Sequence, residues 1–256
     1  MTDRAKYVAY ERQGKVSTIT LDRAPINVYD GAFHAEFQGA WQEAKRDTQT
    51  TVVVMKATGK HFCAGANLRN PEPAPEGAQV LDAWEEVRLI RDLMKPTIAA
   101  VQGGCIGGGQ RMVFPCDLIF CSQDAFFRDP TATMGVGGIQ SHLHTWLYGP
   151  RLAKEMIYSG MRLPAERLYN MGEINRLYPD AETLHRETMA FAHEIAEQDP
   201  LALRQAKRAS NITMDIMGQH YILSRMQELL DDAPKMNLGI QTTDQIERTG
   251  SIEVTG

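Results

Sequence analysis

The chain lacks any apolar run long enough to cross a bilayer, so a membrane-spanning protein is excluded from the reading. The stretch Met1 to Gly14 is charged and polar, without the apolar segment and small-residue cleavage site of a signal peptide. A cytoplasmic protein with no membrane partner is the expectation. Cysteine is scarce: Cys63, Cys105, Cys116 and Cys121 lie in apolar or glycine-rich surroundings, with no C-x-x-C pair to suggest a zinc site or redox centre. Reduced, buried thiols and no bound metal are expected. A formal net charge of −5 gives no basic footprint for nucleic acid, although a local basic patch for a small anion stays open. No Gly-Lys-Ser/Thr follows the glycine-rich turn and the G-x-G-x-x-G spacing is missing, which disfavours phosphate-loop and dinucleotide-binding proteins.

What is present suits a soluble domain with a full core. Of 256 residues 43% are hydrophobic and 23% charged, enough for one large domain with a smaller helical appendage. Residues 6 to 22 read as strand, turn, strand around Gly14. Phe33, Phe37, Trp41 and Ala44 then recur on one face of a helix from Gly31 to Asp47. Thr51 to Met55 and Thr97 to Val101 are β-branched or apolar runs that predict strands covered on both faces. Between them Val80, Trp84, Val87, Ile90 and Met94 predict a helix ended by Pro96. A short helical stretch reaches Phe114, with Pro115 late in it, and a strand follows at Asp117 to Phe120. This alternation predicts repeated α/β turns through residues 1–148. Beyond Gly149 the strand signal disappears, and Arg151 to Gly160, Pro164 to Gly172, Ala181 to Gln198 and Pro200 to Gly218 predict a helical region over 149–240, with a polar tail over 241–256.

Two segments carry candidate chemistry: His61-Phe62-Cys63-Ala64-Gly65-Ala66-Asn67-Leu68 and Gly103-Gly104-Cys105-Ile106-Gly107-Gly108-Gly109-Gln110. Each places small residues where a strand turns toward a helix. There a ligand can approach the main chain, and unpaired N–H groups face it at the positive end of the helix. By itself the glycine triplet also fits a tight turn or close helix packing.

Taken in order, these segments resemble the crotonase (enoyl-CoA hydratase/isomerase) family. The resemblance runs from about Val8 to Arg208. It rests on Gly59 to Leu68, on Lys95-Pro96-Thr97-Ile98-Ala99-Ala100-Val101-Gln102-Gly103, on Gly107-Gly108-Gly109, and on Cys116-Asp117-Leu118-Ile119. Ala125-Phe126-Phe127, Met134-Gly135, Gly149-Pro150-Arg151-Leu152-Ala153 and Gly172-Glu173-Ile174-Asn175 extend it. It implies an α/β spiral of ββα turns, a C-terminal helical region used in trimerisation, and a homotrimer or dimer of trimers. It also implies an acyl-CoA substrate with no separate cofactor, coenzyme A being part of the substrate. The oxyanion donors implied by the resemblance are the backbone N–H groups of Ala66 and Gly108. Such donors in a dry site stabilise a thioester enolate by about 3 kcal/mol each.

The sequence departs from the family at its acid and base. Where the hydratases carry two glutamates, Arg111 and Thr131 stand here, and neither is a competent base near neutral pH. The position that carries aspartate in dienoyl isomerases and aryl dehalogenases is Ile139. Remaining acid/base candidates are Asp129, His142 and His144, the two histidines in a loop bordering the acyl pocket. Asp129 has the alternative of capping or pairing with an arginine, and the histidines that of surface or interface residues. Arg111 can pair with Asp129 or bind a substrate carboxylate. His61 is expected to order the first turn by a hydrogen bond. Lys60 and Arg69 sit where the family contacts the CoA phosphates and adenine, or are ordinary surface. Ala64, Asn67, Leu68 and Thr131 complete the expected substrate-binding set. The functional expectation is an acyl-CoA enzyme running enolate chemistry with a replaced acid/base set. Carbon–carbon bond or thioester hydrolysis, and a CoA-binding protein without catalysis, are the alternatives.

Overall fold

The computed structural model describes residues 7–23, 25–78, 80–135, 141–223 and 225, with backbone alone at 141 and 142. Ile139 and the polar tail over 241–256 lie outside the described residues. The chain opens with an antiparallel hairpin, β1 (Val8–Gln13) and β2 (Val16–Leu21), turned at Gly14. Helix α1 (Gly31–Arg46) follows. Asp30 caps it by accepting from the Phe33 N–H, and Phe33, Phe37 and Trp41 form its wholly buried face. Strand β3 (Val52–Ala57) pairs parallel with β2.

Helix α2 (Ala83–Arg91) starts with a capping box in which Asp82 accepts from Glu85 N and the Glu85 side chain reaches back to Asp82 N. Strand β4 (Thr97–Val101) is buried throughout, as its apolar run predicts. Then come β5 (Gly104–Ile106), α3 (Gly108–Val113), β6 (Leu118–Ser122) and β7 (Phe126–Arg128). Pro115 lies beyond α3, whose C-cap is Phe114, so it ends the helix and does not bend it. A 3-10 turn at Ala132–Met134 leads toward α4 (Ser141–Ser159).

Three details differ from the sequence reading. His142 and His144 belong to α4, not to a loop. That helix crosses the expected boundary at residue 149, with Gly149 (φ 73°, ψ 161°) breaking its line and Pro150 opening the second piece. Strands also continue past Gly149: β8 (Leu163–Pro164) and β9 (Arg176–Tyr178) flank α5 (Ala165–Met171). They are too short to show a period, and neighbouring strands hold them. β9 extends the main sheet, in the order β1-β2-β3-β4-β6-β9, and β8 joins β5 and β7 in a second sheet of order β5-β7-β8. Two further helices follow, α6 (Ala181–Ala196), packed on β3, β4 and β6, and α7 (Pro200–Ile216), after which residues 219–223 are again helical.

The larger core cluster lies on the α1 and α2 side of the main sheet, and a smaller one lies under α6. The second sheet stands beside the first so that the turns leaving β3 and β4 meet. All four cysteines are buried and free.

Candidate active site

The two turns are zipped together by main-chain bonds. Phe62 N donates to Gln102 O at 2.9 Å, Cys63 N to Gly104 O at 3.1 Å, and Ile106 N to Cys63 O at 2.9 Å. The His61 ring accepts from Gly104 N through Nδ1 at 2.9 Å, which is the ordering bond expected of it. Further along, Tyr29 N donates to Gly65 O at 3.0 Å and Asn67 N donates to Tyr29 O at 2.7 Å, a parallel bridge centred on Ala66. In such a bridge the N–H of the central residue points away from the partner strand, and no described residue accepts the Ala66 N–H. Gly108 is the first residue of α3, so its N–H has no acceptor within the helix. Both expected donors are therefore free of protein partners among the described residues.

Each glycine of the triplet has its own reason. Gly107 takes φ 53°, ψ −124°, which side chains rarely adopt. Gly109 packs on Cys63, whose Cβ would lie 2.9 Å from any added methyl. Gly108 is glycine because Tyr29 lies against its Cα: an added methyl would sit 2.5 Å from Tyr29 Cζ and nearer still to the hydroxyl. Tyr29 thus joins the halves of the site, its backbone pairing around Ala66 and its ring covering Gly108.

One flank is a buried ionic cluster. Arg111, one turn after Gly108, reaches Glu86 Oε1 from Nε at 3.4 Å and lies 3.3 Å from His34 Nε2. Glu86 is 1% exposed; its Oε2 meets His34 Nδ1 at 2.8 Å and accepts from Gln38 Nε2 at 2.8 Å. Burial alone would raise the Glu86 carboxyl, but the His34 ring and the Arg111 guanidinium outweigh it and hold the group at about 2. Arg111 accordingly pairs with Glu86 and not with Asp129. The guanidinium carbon stands 5.9 Å from the centre of the Tyr29 ring, and His34 meets that ring edge-on at 4.8 Å.

The other flank holds Asp129 and His144, both wholly buried. Asp129 Oδ1 accepts from Thr131 N at 3.0 Å and from Thr131 Oγ1 at 2.6 Å, so the carboxylate caps its own turn and occupies the threonine hydroxyl. Its other oxygen, Oδ2, has no hydrogen bond among the described residues and faces His144 Nδ1 at 3.7 Å. Among the described residues neither ring nitrogen of His144 has a hydrogen-bond partner; the ring lies between Phe114 and Tyr148. Burial pushes His144 down to about 4 against a smaller upward pull from Asp129. Gly107 N donates to Arg128 O at 2.8 Å, which sets Asp129 directly beside the glycine-rich turn. The His142 side chain lies outside the described residues.

Of the expected binding residues, Lys60, Leu68 and Arg69 are exposed and Ala64 is half-buried. Asn67 braces the turn, donating to Asp30 Oδ2 at 3.0 Å and Asn70 O at 2.7 Å. Sequence reasoning missed Tyr29, His34 and Glu86. Their signal was weak: a tyrosine just before a helix cap, and two polar residues next to apolar helix faces.

Fold and site together define a crotonase-type α/β protein, in which two strand-end turns bring free main-chain N–H groups to one place. The family described as enoyl-CoA hydratase/isomerase matches residues 11–241, and the chain belongs to that family. It is 31% identical over 242 residues to a putative enoyl-CoA hydratase of Mycobacterium tuberculosis, covering 83% of this chain and 76% of that one. It is 30% identical over 198 residues to the human mitochondrial Δ(3,5)-Δ(2,4)-dienoyl-CoA isomerase, covering 71% of this chain and 60% of the relative's length. A solved structure of a probable enoyl-CoA hydratase from Mycobacterium smegmatis superposes with a TM-score of 0.80 at 37% identity, covering 95% of this chain and 98% of that one. Among the described residues no helix is long and apolar enough to cross a membrane, and no cluster of metal-ligating side chains occurs.

Proposed function

We propose that this chain binds an acyl-CoA and stabilises its enolate through the N–H groups of Ala66 and Gly108, with Asp129 as the base. Asp129 takes a proton from the α-carbon. The C–H electron pair then forms the enolate double bond, and the carbonyl pair moves to the thioester oxygen between the two donors. The observation that carries this reading is the pair of N–H groups left free where both turns meet. Asp129 supports it as a carboxylate oxygen without a hydrogen bond, held beside that turn. Lys60 and Arg69, exposed along the first turn, suit the phosphates of coenzyme A, and no separate cofactor is needed. A trimer or dimer of trimers is part of the proposal, supported by the exposed apolar residues Ile216 and Tyr221 near the end of the described chain.

Simple hydration of an enoyl-CoA should be slow. Arg111 is tied to Glu86 and the Thr131 hydroxyl to Asp129, so neither glutamate position offers a group able to activate water. The test is calorimetric titration with butyryl-CoA and with butyrate, run beside the loss of enoyl thioester absorbance from crotonyl-CoA. Binding of the thioester but not the free acid, with slow hydration, is the expected result. Equal affinity for both ligands would sink the thioester pocket, and an efficient hydratase rate would overturn the acid/base reading. Release of free coenzyme A would favour the hydrolase alternative.

A further inference from the structure

A substrate enolate has two faces, and the proposed base Asp129 serves one of them. We propose that the Tyr29 hydroxyl is a second catalytic group, the proton donor to the α-carbon of the enolate, with Arg111 as its fixed supporting charge. This deepens the enolate reading and rests on it.

Three observations carry the inference. First, Tyr29 lies against the Cα of Gly108, the residue whose free N–H is assigned to the thioester oxygen, so its hydroxyl is beside that proposed donor. Second, no described residue hydrogen-bonds that hydroxyl, although the tyrosine is half-buried in a crowded polar region. A phenol so placed usually has a partner, and here the group it would meet is the ligand. Third, a cation stands at position 111. Its guanidinium is directed over the Tyr29 ring and held by Glu86 and His34. A carboxylate there would oppose a phenolate, whereas a guanidinium stabilises one. Burial raises the Tyr29 phenol to about 12, with Arg111 pulling the other way, so at neutral pH it is a donor.

The step balances without a co-reactant. The enolate's carbon–carbon π pair takes the phenolic proton and becomes the new C–H bond, the thioester carbonyl re-forms, and the O–H pair stays on Tyr29 as phenolate beside Arg111. Water at the half-buried ring then returns a proton to the phenolate, and the hydroxide so formed takes up the proton held by Asp129 once the product leaves, so that both groups are reset.

Deuterium uptake into butyryl-CoA in heavy water measures this group. Asp129 is wholly buried, so a proton it removes returns to the same carbon unless another group delivers a solvent deuteron. Tyr29→Phe keeps the ring over Gly108 and removes only the hydroxyl. It should leave butyryl-CoA affinity within about threefold and lower deuterium uptake roughly a hundredfold or more. Uptake equal to wild type would overturn the assignment of Tyr29 alone. Absence of uptake in wild-type protein that binds butyryl-CoA would overturn the enolate reading and this proposal with it. For Arg111 as a positioning residue, Arg111→Lys should retain uptake within about tenfold, while Glu86→Gln/Arg111→Gln, which leaves no lone buried ion, should fall as far as Tyr29→Phe. A double variant that exchanges like wild type, or a lysine variant as impaired as the double variant, would overturn that role.

Discussion

The two carboxylates flanking the glycine-rich turn are both buried, yet they are opposites in how their hydrogen bonds are met. Glu86 has His34, Gln38 and Arg111 around its two oxygens. Asp129 has one oxygen satisfied by Thr131 and the other facing an imidazole at 3.7 Å, too far for a hydrogen bond. A buried carboxylate with partners on both oxygens is a fixed charge, because moving its proton would break several bonds at once. A carboxylate with one oxygen unpaired has no such set of bonds to break at that oxygen. The difference teaches that burial alone does not mark the chemical group; incomplete satisfaction does.

The sharpest way to break this comparison is Asp129→Asn. The amide oxygen can still accept from Thr131, so the turn should survive, but the proposed base is gone. Deuterium uptake into butyryl-CoA should drop by about 10² to 10⁴. Uptake near the wild-type level would place the base elsewhere and cancel the contrast between the flanks. Glu86→Gln probes the satisfied side. It strands the Arg111 guanidinium without its counter-charge, and urea unfolding should show a loss of about 3 to 5 kcal/mol, largely recovered in Glu86→Gln/Arg111→Gln. A loss below about 1 kcal/mol would mean that the cluster is not the rigid frame described here.

A smaller effect follows from pH. His144 titrates at about 4 in the fold against 6.5 for an ordinary histidine, so between these values the unfolded chain binds the extra proton. Its contribution to stability is whole above about 6.5 and is lost as pH falls toward 4, by at most about 1.4 kcal/mol for each pH unit. Glu86, held near 2, keeps its own contribution until the acid falls below the ordinary 4.5. His144→Leu should therefore flatten the decline across the upper window while leaving the loss at lower pH. An unchanged slope from pH 6.5 to 4 would assign that window to other groups, among them His61 and His185, both also lowered by burial.

The elements that could be read from sequence are those whose signal is local. Thr97–Val101 is a strand as written, because five consecutive buried positions leave no other reading. The Gly107 turn was equally open to view, since only glycine tolerates its φ. His144 was misplaced because Gly149-Pro150 resembles a helix start, hiding the fact that one helical piece already precedes it. The Tyr29, His34, Glu86 and Arg111 cluster stayed hidden for a different reason. Its members are 52 and 77 positions apart in the bonds from His34, and each looks ordinary in its own segment. Glu86 on an amphipathic helix reads as a solvated charge until α1 is laid against α2.

Helix α7 carries one more consequence. Its only buried residue is Lys207, whose ammonium bonds Asp117 at 2.8 Å and the Lys95 carbonyl at 3.0 Å, and its far end is bound by Arg91 through Asp215 at 2.6 Å and the Asn211 carbonyl at 3.2 Å. A helix fastened at two charged points, with little apolar surface against its own core, has an attachment that salt screens and heat loosens independently of the sheet. In hydrogen-exchange terms α7 is expected to behave as its own cooperative unit, with amides that open at a free energy below that of β3 and β4 and a gap that widens as ionic strength rises.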